Sequence, residues 1–378
     1  MAMEIIVPSP EEKKLRAHLA ARTDAEARRI ERFLAMEDLS RRAGSPLEEI
    51  VRKALSAKSL AGFDVIHIPE IVPVTVTFDL FNMPVGHPAR SKSDTYYVDE
   101  THILRTHDTV MWYYYLTLPE IKKKLENRES FGVVCYGKVY RKDEIDRKHM
   151  NVFHQFGGLY LTPNERETIT LEHLKSVLTD IAQSIFGTGV KNRFNQDTFP
   201  YTDPSLEMEI EKDGQWIEML GCGLPRASVL SNFSVTGYNG WAFGFGLERL
   251  AIVSMKLPDI RLLWSTDERV QRQLKLGQAY HEVSKYPSVT RDISFIVPDT
   301  FIPNNYFDLI RDIGGNLVEE VTLLDKYQNA EKFGTGKVSY TYRIIYRSIE
   351  RTLTLAEIEP LQAKIETETK RQFGAEMR

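Results

Sequence analysis

The chain has 378 residues, 42% hydrophobic and 27% charged, with a net charge of −4 at neutral pH. That is length for two or three domains with ample core, and too little positive charge for a uniformly basic nucleic-acid binder, although a local patch stays open. No apolar run approaches the roughly 18 residues of a membrane helix, and the two cysteines, Cys135 and Cys222, offer neither a disulfide framework nor a metal-ligand spacing and read as buried, reduced thiols.

The first residues, MAMEIIVPSPEEKK, lack a secretory signal's apolar stretch and the Arg/Ser-rich look of a transit peptide. The expectation is a cytoplasmic, bacterial-type location, with an organelle matrix as the alternative. Residues 10–60 carry Glu, Arg, Ala and Leu at helical spacing and predict two or three helices, an N-terminal helical extension over residues 1–60. From Gly62 to Asn82 the β-branched run GFDVIHIPEIVPVTVTFDLFN predicts strands, kinked by Pro69 and Pro73. Residues 100–127 predict a helix capped by Asp108 or Thr109, with Lys122 to Lys124 near its end. Two apolar runs, 131–144 and 150–161, joined by the charged loop KDEIDRKH, predict an antiparallel hairpin.

An amphipathic helix is predicted over 165–187, and two strands around an Asp213-Gly214 turn over 206–223. A glycine-rich strand running straight into a helix spans 240–257. After a linker near Leu274 to Lys285, the order strand, helix, strand, strand, helix suits a small two-layer α+β domain.

Within the hairpin, HQFGGLYL (154–161) sets Gly157 and Gly158 side by side inside a strand. Glycine weakens a strand unless something presses close to the backbone. Three pieces suggest what. In VYRKDEIDRKHMNVFHQ, Arg141 ends a strand where a guanidinium can fork onto a phosphate or carboxylate. Arg147, Lys148 and His149 could meet outer phosphates, and Phe153 offers a stacking face. In GFGLERLAI, glycines admit a ligand close to the backbone and Arg249 follows. In WIEMLGCG, Glu218 is an acid placed where a divalent cation could bridge to phosphates. Each piece alone is weak: a charged loop is usually solvated, and Gly-x-Gly serves packing as often as phosphate binding.

Their order resembles the signature motifs of class II aminoacyl-tRNA synthetases. FNMPVGHPARSKSDTYYV, ILRTH, the hairpin, FPYTDPSLEMEI, WIEMLGCG and GWAFGFGLERLAI resemble the catalytic core of phenylalanyl-tRNA synthetase. The tail from SKYPSVTRDISF to YRIIYRSIERTLT resembles its ferredoxin-like anticodon-binding domain, as in the single-chain, mitochondrial-type enzymes. The resemblance runs from about residue 60 to the end. It implies an α+β fold: an antiparallel catalytic sheet flanked by helices over 61–275, and a ferredoxin-like domain over 285–378. It implies ATP and Mg²⁺ as cofactors and an amino acid and tRNA as partners. Arg141 would bind the α-phosphate and the amino-acid carboxylate; Phe153 and Arg249 would sandwich the adenine. His149 would meet the outer phosphates, Glu218 would hold Mg²⁺, and Asp143 stands near the nucleotide where the class often has Glu.

The amino-acid pocket departs from the family pattern. The usual His-Gln-x-Glu reads His154-Gln155-Phe156-Gly157, the usual His-Thr-Ser reads His107-Asp108-Thr109, and a downstream Gln is Trp112. Phe199 and Tyr201 stand for the two phenylalanines that flank the substrate ring, and Ala242 for the pocket floor. The expectation is that the glycine pair opens space in this pocket. Phenylalanine is the default substrate; a different amino acid, passed to tRNA or to a non-translational acceptor, is the alternative. A catalytically dead tRNA-binding protein fits less well, since Arg141, Glu218 and Arg249 are all present. The tail carries 13 Lys/Arg against 15 Asp/Glu over residues 281–378. RNA binding there must come from a local face, with Lys326, Tyr327, Arg343 and Arg347 as candidates.

Overall fold

Ser9, Asp24 and Ser45 each accept a backbone N–H of the turn that follows and so start three helices. The computed structural model, which describes residues 2–283 and 286–378, thus opens with β1 (Glu4–Ile6), α1 (Pro10–Ala20), α2 (Ala25–Ala35) and α3 (Pro46–Leu55). Lys285, where the predicted linker ends, lies outside the described residues. Two compact units divide the chain. The first holds Met1–Tyr140, Val152–Lys256 and Lys275–Gln278; the second holds Arg141–Asn151, Leu257–Leu274 and Ala279–Arg378.

In the first unit, β2 (Asp64–His67) is followed by β3 (Ile71–Pro73), α4 (Val74–Thr77) and β4 (His102–Leu104), which pairs with β3. The sequence predicts strand as far as Asn82, but α4 and a 3-10 turn at Asp79–Phe81 replace it. Val76, Phe78 and Phe81 are buried in the core there, so tertiary burial overrides β-branched propensity. The single helix predicted over 100–127 also differs. It is a 3-10 turn at Asp108–Val110, then α5 (Met111–Leu116) and α6 (Pro119–Glu126), broken because Pro119 cannot continue a helix. Neither Asp108 nor Thr109 caps it; His107 precedes the turn, and no side chain closes it.

The predicted hairpin is β5 (Phe131–Tyr140) and β6 (Val152–Pro163), followed by α7 (Leu171–Phe186), β7 (Asn192–Asp197), β8 (Thr202–Lys212) and β9 (Gln215–Pro225). Asp213 and Gly214, both at positive φ, make the β8–β9 turn. Then come α8 (Ala227–Asn232), β10 (Tyr238–Gly246) and α9 (Leu247–Met255). One sheet gathers eight strands in the order β1-β2-β5-β6-β10-β9-β8-β7. It is parallel at β1-β2-β5 and antiparallel from there on. The first 60 residues therefore do not stand apart: β1 extends this sheet, and α3 packs on α7 and α9.

The second unit contains α10 (Glu268–Gln271), β11 (Val289–Pro298), α11 (Pro303–Gly314), β12 (Val318–Tyr327), α12 (Ala330–Phe333), β13 (Lys337–Tyr346), α13 (Leu355–Phe373) and β14 (Glu376–Met377). Its antiparallel sheet runs β12-β13-β11-β14, with bulges in β12 between Val318 and Glu320 and between Leu323 and Asp325. Phe295, Tyr306, Tyr342 and Ile344 build its core, and Ile145 from the hairpin loop joins them.

Both cysteines are buried, and burial pushes each thiol up to about 12. A thiol-reactive dye is expected to label neither until denaturant is added; labelling of either in the native protein would contradict this packing.

Candidate active site

Directly opposed residues on antiparallel strands share a face. In this register Gly157 of β6 faces Gly244 of β10, and Gly244 faces Gly221 of β9. Three neighbouring strands thus lack side chains along one row, which leaves a trough floored by backbone. A Cβ added at Gly157 would lie 2.2 Å from Asp108 Oδ2, and one at Gly244 would lie 3.2 Å from Asp108 Oδ1. One at Gly221 would lie 2.7 Å from the Phe199 ring. The trough is filled by the Asp108 carboxylate at one end and the Phe199 ring at the other. Gly158 points to the opposite face, where its missing Cβ makes room for Phe243 at 2.6 Å.

This corrects the expectation that the glycine pair opens space. Each glycine serves a different face, and the space beside Gly157 holds a carboxylate. Asp108 is 4% exposed, and its N–H donates to Gln155 Oε1 at 3.0 Å. Alternation along β6 puts Phe153, Gln155 and Gly157 on the same face. Around them stand aromatic rings: Phe81 meets Trp112, His107 and Tyr201 at 5.4, 5.8 and 5.9 Å between ring centroids. Tyr201 stacks on Phe199 at 5.9 Å. Thr109 is half-buried beside Asp108, and Ala242 is buried two residues from Gly244 on the same face of β10. The structure therefore gathers Asp108, Gln155, Gly157, Trp112, Phe199, Tyr201 and Ala242 about one trough. Its chemistry suits a flat apolar body with a cationic group.

Glu218 and Arg249 form a second pair, 2.9 Å apart and both exposed. Among the described residues no group of three or more His, Cys, Asp or Glu is arranged to hold a metal ion. Glu218 lies opposite Glu209 on β8, which is itself bound by Arg193 and Asn195. Magnesium that arrives on nucleotide phosphates keeps most of its waters and needs only one or two carboxylates, so this donor set fits it.

The remaining predicted residues lie in the second unit. Arg141 follows β5, and its N–H donates to the Asn151 carbonyl at 3.0 Å, adding one rung to the hairpin. Arg311 donates to the Asp143 and Glu144 carbonyls at 3.0 and 2.6 Å. His149 Nδ1 lies 2.8 Å from Asp146, and Arg147, expected at outer phosphates, is instead 2.5 Å from Glu319. Of the RNA candidates, Tyr327 and Arg343 share the outer face of the sheet, with Arg343 paired to Asp292 at 2.7 Å. Lys326 lies opposite Tyr340 and over its ring at 5.5 Å, and Arg347 pairs with Glu319 at 2.8 Å. These four do not form one basic patch.

Sequence reading missed a buried cluster on the other face of β6, where His154 sits between Glu248 and Asp38. The motif pairs His154-Gln155 and Glu248-Arg249 were its only signal, since Asp38 is far off in the chain.

Residues 30–274 match the family "tRNA synthetases class II core domain (F)", and residues 284–378 match "Ferredoxin-fold anticodon binding domain". The chain is similar to the chloroplastic/mitochondrial phenylalanine–tRNA ligase of Arabidopsis thaliana, 38% identical over 82% of this chain and 71% of the relative. It is similar to the mitochondrial phenylalanine–tRNA ligase of Mus musculus at 36%, over 82% and 74%. The mitochondrial enzyme of Saccharomyces cerevisiae is 32% identical, over 82% and 81%. The expectation of a cytoplasmic, bacterial-type location does not survive these names, since all three relatives are organellar.

Proposed function

The chain belongs to the class II tRNA synthetases, among the single-chain phenylalanine–tRNA ligases, and on that premise we propose that it activates phenylalanine with ATP and transfers it to tRNA-Phe. In the first step an oxygen of the amino-acid carboxylate attacks the α-phosphorus, the bond to the β-phosphate breaks, and pyrophosphate leaves. In the second a terminal ribose hydroxyl of tRNA attacks the acyl carbon and AMP leaves. No covalent enzyme nucleophile is needed, so the protein's task is positioning and charge neutralisation. Arg141 is proposed to neutralise the α-phosphate, Phe153 and Arg249 to hold the adenine, and His149 and Asp143 to border the nucleotide. Glu218 would hold the magnesium that comes with ATP, which supplies further charge neutralisation when bound. The organellar names of the relatives favour an organelle matrix as its compartment.

The observation that carries the choice of phenylalanine is the Asp108–Gly157 fit. The family's glutamate is gone from position 157, yet a carboxylate stands in the same space, reached from the other side of the trough. Charge and bulk are both returned, so an altered substrate has nothing to recommend it. The test is ATP–pyrophosphate exchange over all amino acids, with and without tRNA. Phenylalanine is expected to give the highest kcat/KM, and a different leading amino acid would refute the assignment.

A further inference from the structure

The segment between α2 and α3 covers the face of β5 and β6 that points away from the trough. Lys138 Nζ donates to the Leu34 and Met36 carbonyls at 3.0 and 2.7 Å. Arg41 lies over the Tyr136 ring at 4.2 Å and donates to the Tyr136 carbonyl at 2.9 Å. At the centre of this contact is the His154 imidazole, which has no exposed surface.

β10 leaves the sheet after Gly246, whose partner on β6 is Gln155. The next amide on β6 is that of His154, and a side chain takes the place of the missing strand. Glu248 Oε1 and Oε2 accept from His154 N at 3.1 and 2.9 Å, and Oε1 lies 2.6 Å from Nδ1. Glu248 sits in the first turn of α9, directly before Arg249. On the far side of the ring, Nε2 lies 3.0 Å from Leu39 N and 3.3 Å from Asp38 Oδ1. A neutral ring would accept from Leu39; an imidazolium donates to Asp38. Burial alone would lower the ring's pKa, but the two carboxylates outweigh it and hold it up at about 9. Asp38 is held well below the usual carboxylate range: burial opposes this, but His154, Ser40 and Arg41 prevail.

We propose that Asp38 is a positioning residue for ATP: it holds His154, His154 holds Glu248, and Glu248 fixes the turn of α9 from which Arg249 reaches the nucleotide. The proposal rests on reading Arg249 as an ATP-binding arginine. It gives Asp38, which precedes the first of the signature motifs but lies inside the 30–274 family match, a part in adenylate formation.

The test is pyrophosphate exchange with phenylalanine on the full-length protein, on Asp38→Asn and on Arg249→Ala, with thermal unfolding as the check on folding. Asp38→Asn is expected to raise the KM for ATP about tenfold while the KM for phenylalanine stays within about twofold. The pH profile adds a readout that a merely structural role would not move. The KM for ATP follows the protonation state of the folded ring, which keeps its proton until pH climbs to its folded pKa. The wild-type KM for ATP should therefore stay flat until about pH 9. Without Asp38, Glu248 is the one carboxylate left beside the ring, with the Lys138 ammonium of β5 on the same face, so the ring's pKa falls and the rise in KM should begin at lower pH. Should Asp38→Asn fold poorly, Asp38→Asn/His154→Gln removes both charges and should show the same ATP-specific loss. Wild-type ATP kinetics in Asp38→Asn beside a raised KM in Arg249→Ala would overturn the positioning chain, as would equal losses for both substrates. An unchanged KM for ATP in Arg249→Ala would bring down the reading of Arg249, and the proposal with it.

Discussion

Arg141→Ala is expected to slow phenylalanine-dependent pyrophosphate exchange about a thousandfold, the scale set by losing one preorganised donor at a developing charge. Negative charge gathers at the α-phosphorus as the carboxylate attacks, and a guanidinium can fork onto two oxygens there. Arg141→Lys keeps the charge but not the fork, so it should recover only part of the rate. Single-turnover adenylate formation is the measurement. Arg141 is exposed and follows β5 directly, so folding should survive, and circular dichroism with an unchanged melting temperature checks that. Near-normal exchange in Arg141→Ala would move the α-phosphate contact elsewhere.

Gly157→Glu is expected to lower kcat/KM for phenylalanine about a hundredfold, near 3 kcal/mol. The new Cβ would lie 2.2 Å from Asp108 Oδ2, an overlap the short, buried aspartate cannot escape cheaply. A second carboxylate in a dry trough also repels the first, and one of them must take up a proton. Restoring the family's pattern at both places separates crowding from chemistry. Asp108→Thr alone removes the carboxylate and should also lose activity, while Asp108→Thr/Gly157→Glu carries it on β6 and should regain most of the loss. That is strong coupling in a double-mutant cycle. If Gly157→Glu alone improves phenylalanine activation, Asp108 does not stand in for the missing glutamate.

These two variants also mark where the sequence was legible. The β8–β9 hairpin could be read because Asp213-Gly214 is a local signal between alternating residues, and the β10–α9 junction because its glycines and its helical pattern adjoin. Val74 to Phe81 misled, since β-branched residues there are wound into a helical turn by the burial of Phe78 and Phe81. Gly157 announced that something presses on its backbone, but not that the pressing group is Asp108. The charged loop read as reaching for phosphates; that Arg147 pairs with Glu319 and Arg311 holds the Asp143 carbonyl depends on elements far along the chain. Asp38 looked like one more acid in a helical stretch. Its pairing with His154 exists only once the chain has folded back over β6.

The strand order has a further consequence, for solubility. The two large sheets end in four strands whose outer backbone is a template for another chain. Each is blunted differently. β1 has three residues and β14 two, too short to nucleate pairing. β7, NRFNQD, is polar and carries both an arginine and an aspartate. β12 is the exception in length and exposes Leu323, Leu324 and Tyr327, but its two bulges break the flat ladder that an incoming strand would need. Straightening β12 by deleting a bulged residue would turn this molecule's most adhesive strand into an aggregation nucleus.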